Sequence, residues 1–187
     1  MKKYLLVSLM CFIATHSAIA EESNGVALED FSVGAGFGFH ANDDNNGFLI
    51  NFGPAYHFDK NWSAGVDMQF GFEGDDTFLF SMPFYGQYDT DNFATDMDIL
   101  KDMRAFAKLG LGFTYAEFDP SGTIDSDDTG FLFVIGGGVA YDLNEHISIE
   151  SRMQFNITTN NTRNNTGKLF DDKFYFSWEV LAARYRF

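Results

Sequence analysis

The sequence predicts an all-β protein, a transmembrane up-and-down antiparallel β-barrel of about eight strands preceded by a cleaved signal peptide. Two observations predict this fold. Residues 1–20 have the pattern of a secretory signal, and the rest of the chain repeats short segments in which apolar and polar residues alternate. After the signal, no run of about 18 apolar residues occurs, so the sequence predicts no transmembrane helix.

The N-terminus has the three parts of a signal peptide. Lys2 and Lys3 form a positive n-region, residues 4–14 form an apolar run, and Ala18-Ile19-Ala20 supplies the small residues that a signal peptidase requires. We predict cleavage after Ala20, which divides the chain into a signal peptide (1–20) and a barrel domain (21–187). A permanent N-terminal membrane anchor is the alternative interpretation.

The composition limits the classes of partner and chemistry. The chain has 27 acidic and 12 basic residues, and cleavage would remove two of the lysines, so the mature protein is strongly acidic. Such a chain repels nucleic acid, and we expect no nucleic-acid partner. Cys11 is the only cysteine. Because it lies in the signal peptide, we expect a mature barrel without disulfides or cysteine metal sites.

Alternation with a period of two residues is the main evidence for strands. In residues 31–40 the odd positions are Phe, Val, Ala, Phe and Phe, and the even positions are Ser, Gly, Gly, Gly and His. Comparable patterns occur in residues 48–57, 62–72, 78–84, 105–115, 131–142, 147–157 and 174–187. A soluble β-sandwich would also alternate. However, one face here is rich in large aromatic residues and the other in glycine and charge, which favours a closed barrel with its apolar face toward lipid.

The connections predict the orientation of the barrel. Residues 58–61 and 143–146 form short turns, whereas residues 117–129 and 158–172 form long polar loops. Short turns are typical of the periplasmic end of such barrels and long loops of the extracellular end.

Three features interrupt the regular pattern. Pro54 and Pro83 fall within predicted strands, and we expect each to mark a bulge. The connection 88–102 is long for a periplasmic turn and contains a candidate helical turn at residues 97–103. The apolar parity of the last strand changes along its length, which predicts a bulge near Glu179-Val180.

Several segments resemble the OmpA/OmpX-like β-barrel superfamily of outer-membrane proteins. The ending Leu181-Ala182-Ala183-Arg184-Tyr185-Arg186-Phe187 resembles the C-terminal strand of these barrels, and residues 55–62, 108–113 and 139–147 resemble their strand-turn-strand units. The resemblance implies a location in the outer membrane of a Gram-negative cell and insertion by the barrel assembly machinery. It also implies that Tyr185 and Phe187 form the assembly signal, and that the protein has a structural, adhesive or protective role.

Three sequence features suggest chemistry, and each has a simpler explanation. His146, Ser148 and Glu150 resemble the catalytic groups of barrel enzymes that modify lipid A, but neighbouring same-face residues lie roughly 7 Å apart, too far for a nucleophile–base pair. Residues 125–128 resemble a calcium loop only in acidity. The glycosylation sequons at residues 160–162 and 164–166 are chance matches in a polar loop. We therefore predict a protein that is not an enzyme and has no catalytic residues, cofactor or metal.

Two classes of function remain. The first is a structural or interaction barrel at the cell surface, in contact with outer-membrane lipid and lipopolysaccharide, whose acidic loops meet unknown surface ligands. The second is a narrow transporter or channel for small or hydrophobic solutes. We favour the first because Asp67, Lys108, Glu150 and Arg152 are predicted to point inward at similar depth and to form a charge network that closes the lumen.

Overall fold

The computed structural model describes residues 30–41, 46–73, 77–94, 97, 100–118, 126–159, 163–164, 167–168 and 174–187. The predicted signal peptide and its cleavage site lie outside these ranges, so the division of the chain at Ala20 stays a prediction. Most of the two long polar loops also lies outside them, including residue 125 of the acidic segment and most of the two sequons.

The described strands form one closed antiparallel barrel. The strands are β1 (Phe31–Ala41), β2 (Asn46–His57), β3 (Trp62–Val66), β4 (Met68–Glu73), β5 (Thr77–Asp89), β6 (Met103–Phe118), β7 (Ser126–Asp142), β8 (Ile147–Thr158), β9 (Arg163–Asn164), β10 (Gly167–Lys168) and β11 (Phe174–Arg186). Each barrel strand pairs with its neighbours in the chain, and β11 pairs with β1 to close the sheet. Strands β3 and β4 are two halves of one barrel strand, while β9 and β10 form a separate small hairpin. The barrel therefore has eight strands, as the sequence predicts.

The two faces of the sheet have the predicted polarity. Large apolar side chains such as Leu111, Phe131 and Phe155 are exposed on the outer face. Ser32 and Asn156 point inward and are fully buried. Among the described helical residues, no segment is long and apolar enough to cross a membrane.

The predicted bulge in the last strand is confirmed. The pairing of β11 with β8 shifts between Glu179 and Ala182, and its pairing with β1 skips Val180. The extra residue changes which parity faces inward, so Tyr175, Ser177 and Glu179 are buried before the bulge and Ala182 and Arg184 after it.

The predicted bulges at Pro54 and Pro83 are wrong. Both prolines sit in ladders whose register does not shift. Instead, the strand opposite Pro83 is interrupted at Asp67. The Asp67 N–H donates to the Pro83 carbonyl oxygen at 3.1 Å, but proline has no N–H to return a second bond. The missing donor interrupts the ladder without inserting a residue.

The short turns at one end of the barrel share one design. Asp59 Oδ1 accepts hydrogen bonds from the N–H groups of Asn61 and Trp62 at 2.7 and 2.8 Å. Asn144 Oδ1 does the same for His146 and Ile147 in the turn after β7. A short polar side chain thus closes each turn locally. The third connection at this end contains a 3₁₀ turn at Leu100–Asp102, within the segment where a helical turn is predicted.

Candidate functional site

The lumen of the barrel is filled by two layers of side chains. Near the long-loop end a buried apolar cluster of Leu79, Ala116, Leu132, Val134 and Tyr175 lies among uncharged polar inward side chains such as Gln69, Thr114 and Asn156. The Tyr175 hydroxyl lies 2.8 Å from Ser81 Oγ, so its polar atom has a partner within the cluster. Toward the short-turn end lie the inward side chains that carry charge. The charged layer is the candidate functional site because it contains the predicted network.

The structure brings the four predicted charged residues together. Lys108 Nζ forms a direct ion pair with Asp67 Oδ2. Arg152 lies between two carboxylates, with Nη1 3.7 Å from Asp67 Oδ1 and Nε 3.7 Å from Glu150 Oε2. All four side chains are at most 4 % exposed. Asp67, Lys108 and the Glu150–Arg152 pair come from three different barrel strands, so their contacts cross-link the wall of the barrel through its interior.

Two members of the network, Glu179 and Arg184, were not predicted. Arg152 Nη2 lies 2.6 Å from Glu179 Oε2, and Arg184 Nε donates to Glu150 Oε1 at 2.8 Å. Both unpredicted residues lie on β11, on either side of its bulge. The parity change in the sequence contained the signal that identifies them, because a bulge near Val180 turns both residues inward.

The complete network balances its charges. Asp67, Glu150 and Glu179 supply three carboxylates, and Lys108, Arg152 and Arg184 supply three cations. Neutral partners add two hydrogen bonds: Asn51 Nδ2 donates to Glu179 Oε1 at 2.8 Å, and Arg184 Nη1 donates to Ser32 Oγ at 3.1 Å. Lys108 Nζ also lies 4.0 Å from the centre of the Tyr85 ring, a cation–π distance. A buried charge without such partners would be very costly.

Glycines on the inner face leave room for these charged side chains. A Cβ atom at Gly53 would lie 2.7 Å from Asp67 Oδ1 and 2.1 Å from the Val66 carbonyl oxygen. A Cβ atom at Gly36 would lie 3.0 Å from Glu179 Oε2. The network therefore depends on neighbouring positions that have no side chain.

Comparison with known proteins shows the family. The family model described as the outer membrane protein beta-barrel domain matches residues 4–177. The chain belongs to this outer-membrane β-barrel family. Its place in the cell is therefore the outer membrane. Among curated proteins, none matches the sequence.

Solved outer-membrane barrels have the same fold. Neisserial surface protein A is 18 % identical, with a TM-score of 0.65 over 84 % of this chain and 97 % of that one. The N-terminal β-barrel domain of OprF from Pseudomonas aeruginosa is 12 % identical, with a TM-score of 0.54 over 84 % and 98 %. Ail, the attachment invasion locus protein of Yersinia pestis, is 16 % identical, with a TM-score of 0.53 over 84 % and 97 %. At these identities the similarity concerns the fold.

In an outer-membrane barrel the short turns mark the periplasmic end. Here the periplasmic mouth opens into a cavity of about 630 Å³, which we call the vestibule. In the wall of the vestibule Arg104 binds carboxylates of the two neighbouring strands, with Nε 3.0 Å from Asp89 Oδ1 and Nη1 in direct contact with Asp142 Oδ1. At the rim, Lys60 Nζ donates to Asp91 Oδ1 at 2.7 Å. This hydrogen bond lowers the pKa of Asp91 and raises the pKa of Lys60.

The residues that resemble a catalytic triad have other partners. His146 is exposed at the periplasmic rim, where Nδ1 lies 3.0 Å from the Arg186 carbonyl oxygen and the ring stacks on Tyr185. Glu150 is bound by Arg184 in the charged layer. The structure thus places the histidine and the carboxylate in separate interactions. Within the described ranges, no group of three or more His, Cys, Asp or Glu side chains is arranged to hold a metal ion.

The residues of the predicted assembly signal lie at the periplasmic end of β11. Tyr185 and Phe187 are both half exposed on the outer face, with ring centroids 5.3 Å apart. The Phe187 N–H donates to the Phe31 carbonyl oxygen at 3.0 Å, which joins the C-terminus to the start of β1. The role of these two aromatic residues in assembly stays a prediction.

Proposed function

We propose that this outer-membrane barrel is non-enzymatic and acts at the cell surface as a structural or interaction protein. The observation that carries the proposal is the buried, charge-balanced network of Asp67, Lys108, Glu150, Arg152, Glu179 and Arg184 in the lumen. A barrel whose interior is occupied by paired charges has no open path for solutes, so its function belongs to the surfaces outside the membrane.

Energetics support a lumen that stays closed. Removing one partner of a buried ion pair typically costs about 3–5 kcal/mol. A solute crossing this barrel would have to separate Arg152 from Glu179 and Lys108 from Asp67, and would then meet the apolar cluster around Leu132. The cost of breaking these buried ion pairs disfavours the transporter alternative.

The extracellular surface supports an interaction role. Strands β6 and β7 continue as a paired hairpin to Phe118 and Ser126. The pairing of β7 with β8 reaches only to Leu132, so this hairpin extends beyond the end of β8. This hairpin presents Asp127, which is exposed. Acidic groups at this surface suit contact with the cations bound by lipopolysaccharide or with basic partners. Neisserial surface protein A and Ail are described by their names as surface and attachment proteins, which agrees with such a role.

Liposome swelling tests the proposal against the transporter. Purified protein in liposomes should admit small neutral sugars and amino acids no faster than empty liposomes, because the lumen is closed. A porin of larger diameter serves as the positive control. Swelling that is faster than in empty liposomes, and that rises with the amount of protein, would favour the transporter.

Cysteine labelling in intact cells tests the surface role. Cys11 is the only cysteine of the sequence, so single cysteines are easily introduced into the barrel. A membrane-impermeant maleimide should label Asp127→Cys in the outer hairpin and leave Lys60→Cys at the periplasmic rim unlabelled. Labelling of Lys60→Cys alone would show that the barrel has the opposite orientation, with the acidic hairpin away from the cell surface.

A further inference from the structure

We propose that the periplasmic vestibule binds small organic cations that carry primary ammonium groups. The vestibule is a cavity of about 630 Å³, within the range of roughly 300–1,000 Å³ that small-molecule sites occupy. Its inner end is lined by Arg184, which belongs to the charged network. A ligand bound there would therefore be stopped by the network and would not enter the lumen. The proposal concerns the periplasmic end and goes beyond the surface role.

The charge of the vestibule favours a cation. Its lining contains five carboxylate side chains, which are Asp89, Asp91, Asp102, Asp142 and Glu145. Four basic side chains also line it, namely Lys60, Arg104, Arg184 and Arg186. Arg184 is already bound to Glu150, which lies outside the lining, so the vestibule has a formal excess of two negative charges. Anions would be repelled from such a cavity.

A buried acceptor in the vestibule points to a ligand that donates hydrogen bonds. Gln87 lines the cavity and is 4 % exposed. Its Nε2 donates to the two Asp89 carboxylate oxygens at 3.0 and 3.3 Å, which fixes the orientation of the amide. Gln87 Oε1 then has no hydrogen-bond donor among the described residues. An unpaired buried acceptor is costly, and a donor from a ligand would remove that cost.

An ammonium group suits this set of acceptors. It has three N–H donors and no acceptor, so one such group can serve Gln87 Oε1 and a carboxylate together. The described residues contain no cluster able to hold a metal ion, which argues against a divalent cation as the occupant. Carboxylates at different positions of the lining, such as Asp89 and Glu145, suit a linear molecule with more than one amine.

Isothermal titration of the full-length mature protein in non-ionic detergent tests the proposal, with spermidine as the probe. We expect saturable binding with one site per barrel that weakens as salt is added, because the attraction is electrostatic. Asp142→Asn should weaken binding about tenfold, because it removes one of the negative charges that line the vestibule. Succinate, a dicarboxylate probe, should not bind.

Two further variants test whether binding requires the vestibule or only the negative charge of the whole protein. Asp127→Asn removes the same charge from the opposite end of the barrel and should leave spermidine affinity unchanged. Glu145→Gln lies in an exposed turn, so it should weaken binding while the fold is preserved. The proposal is overturned by absence of saturable binding, by equal losses in Asp127→Asn and Asp142→Asn, or by affinity unchanged in both vestibule variants.

Discussion

Arg152 on β8 and Glu179 on β11 are directly paired across the two strands, and their side chains meet inside the lumen with Nη2 2.6 Å from Oε2. Arg152 also faces Asp67 and Glu150, so one guanidinium interacts with three carboxylates that come from three barrel strands. The residue therefore lies at the centre of the layer that closes the barrel, and its removal is the most informative substitution.

Replacing Arg152 by methionine should destabilise the folded barrel by about 3–5 kcal/mol, because three buried carboxylates lose a partner. Denaturant unfolding in detergent micelles measures the change in the free energy of unfolding. Lys60→Met is the matched control, since it removes the cation of an exposed ion pair, and it should produce no measurable loss. Similar stabilities for the two variants would contradict the closed, desolvated network.

Glu179→Gln should also destabilise the barrel, because it removes the charge that Arg152 and Asn51 contact. In the double variant with Arg152→Met, the loss in the free energy of unfolding should be about 0.5–3 kcal/mol smaller than the sum of the two single losses, as for residues in direct contact. The same unfolding experiment gives this coupling energy. Additive losses would show that the two side chains do not interact in the folded protein.

The alternation of residues was sufficient to predict most of the fold and part of the network. Asp67 and Lys108 were found because parity along a regular strand determines which face a side chain occupies. Glu179 and Arg184 were missed although the bulge between them was predicted. Their inward positions follow from the bulge, but which carboxylate each arginine binds depends on distances across the lumen, which parity does not contain.

Gly53→Ala should destabilise the barrel by about 1–3 kcal/mol, since its Cβ would overlap the Val66 carbonyl oxygen and crowd Asp67. Gly86→Ala is the control, because a Cβ there would have no heavy atom within 4 Å. The control should be neutral or slightly stabilising, since alanine loses less backbone entropy in a strand. Equal effects of the two alanines on the midpoint of unfolding would mean that Gly53 is not needed for space.

Leu109→Arg should lower the free energy of unfolding in lipid bilayers by about 2–4 kcal/mol, because Leu109 is exposed on the outer face near the middle of β6. Phe131→Arg places the same side chain on the outer face close to the extracellular end, where the cost falls to about 0–1 kcal/mol. Unfolding from phospholipid vesicles measures both values. A penalty at Phe131 as large as that at Leu109 would contradict this placement of the membrane.

The two prolines show where pattern alone is misleading. A proline in a strand was expected to insert a bulge, yet the ladders at Pro54 and Pro83 keep their register. The physical constraint is only the missing N–H donor, which a strand can accommodate by losing one hydrogen bond. Here that loss lies opposite Asp67, the acidic residue that Lys108 binds. Sequence pattern does not distinguish a lost bond from an inserted residue.

Ion conductance across a planar bilayer tests the central claim, a lumen closed by paired charges, most directly. Unmodified protein inserted from detergent should raise no steady single-channel current in potassium chloride at moderate voltage, because Arg152 and its carboxylate partners occupy the path. Insertion is verified in the same sample by resistance of the barrel to protease. Stable, ohmic channels in the unmodified protein, with a frequency proportional to the amount inserted, would contradict the closed lumen and favour the transporter.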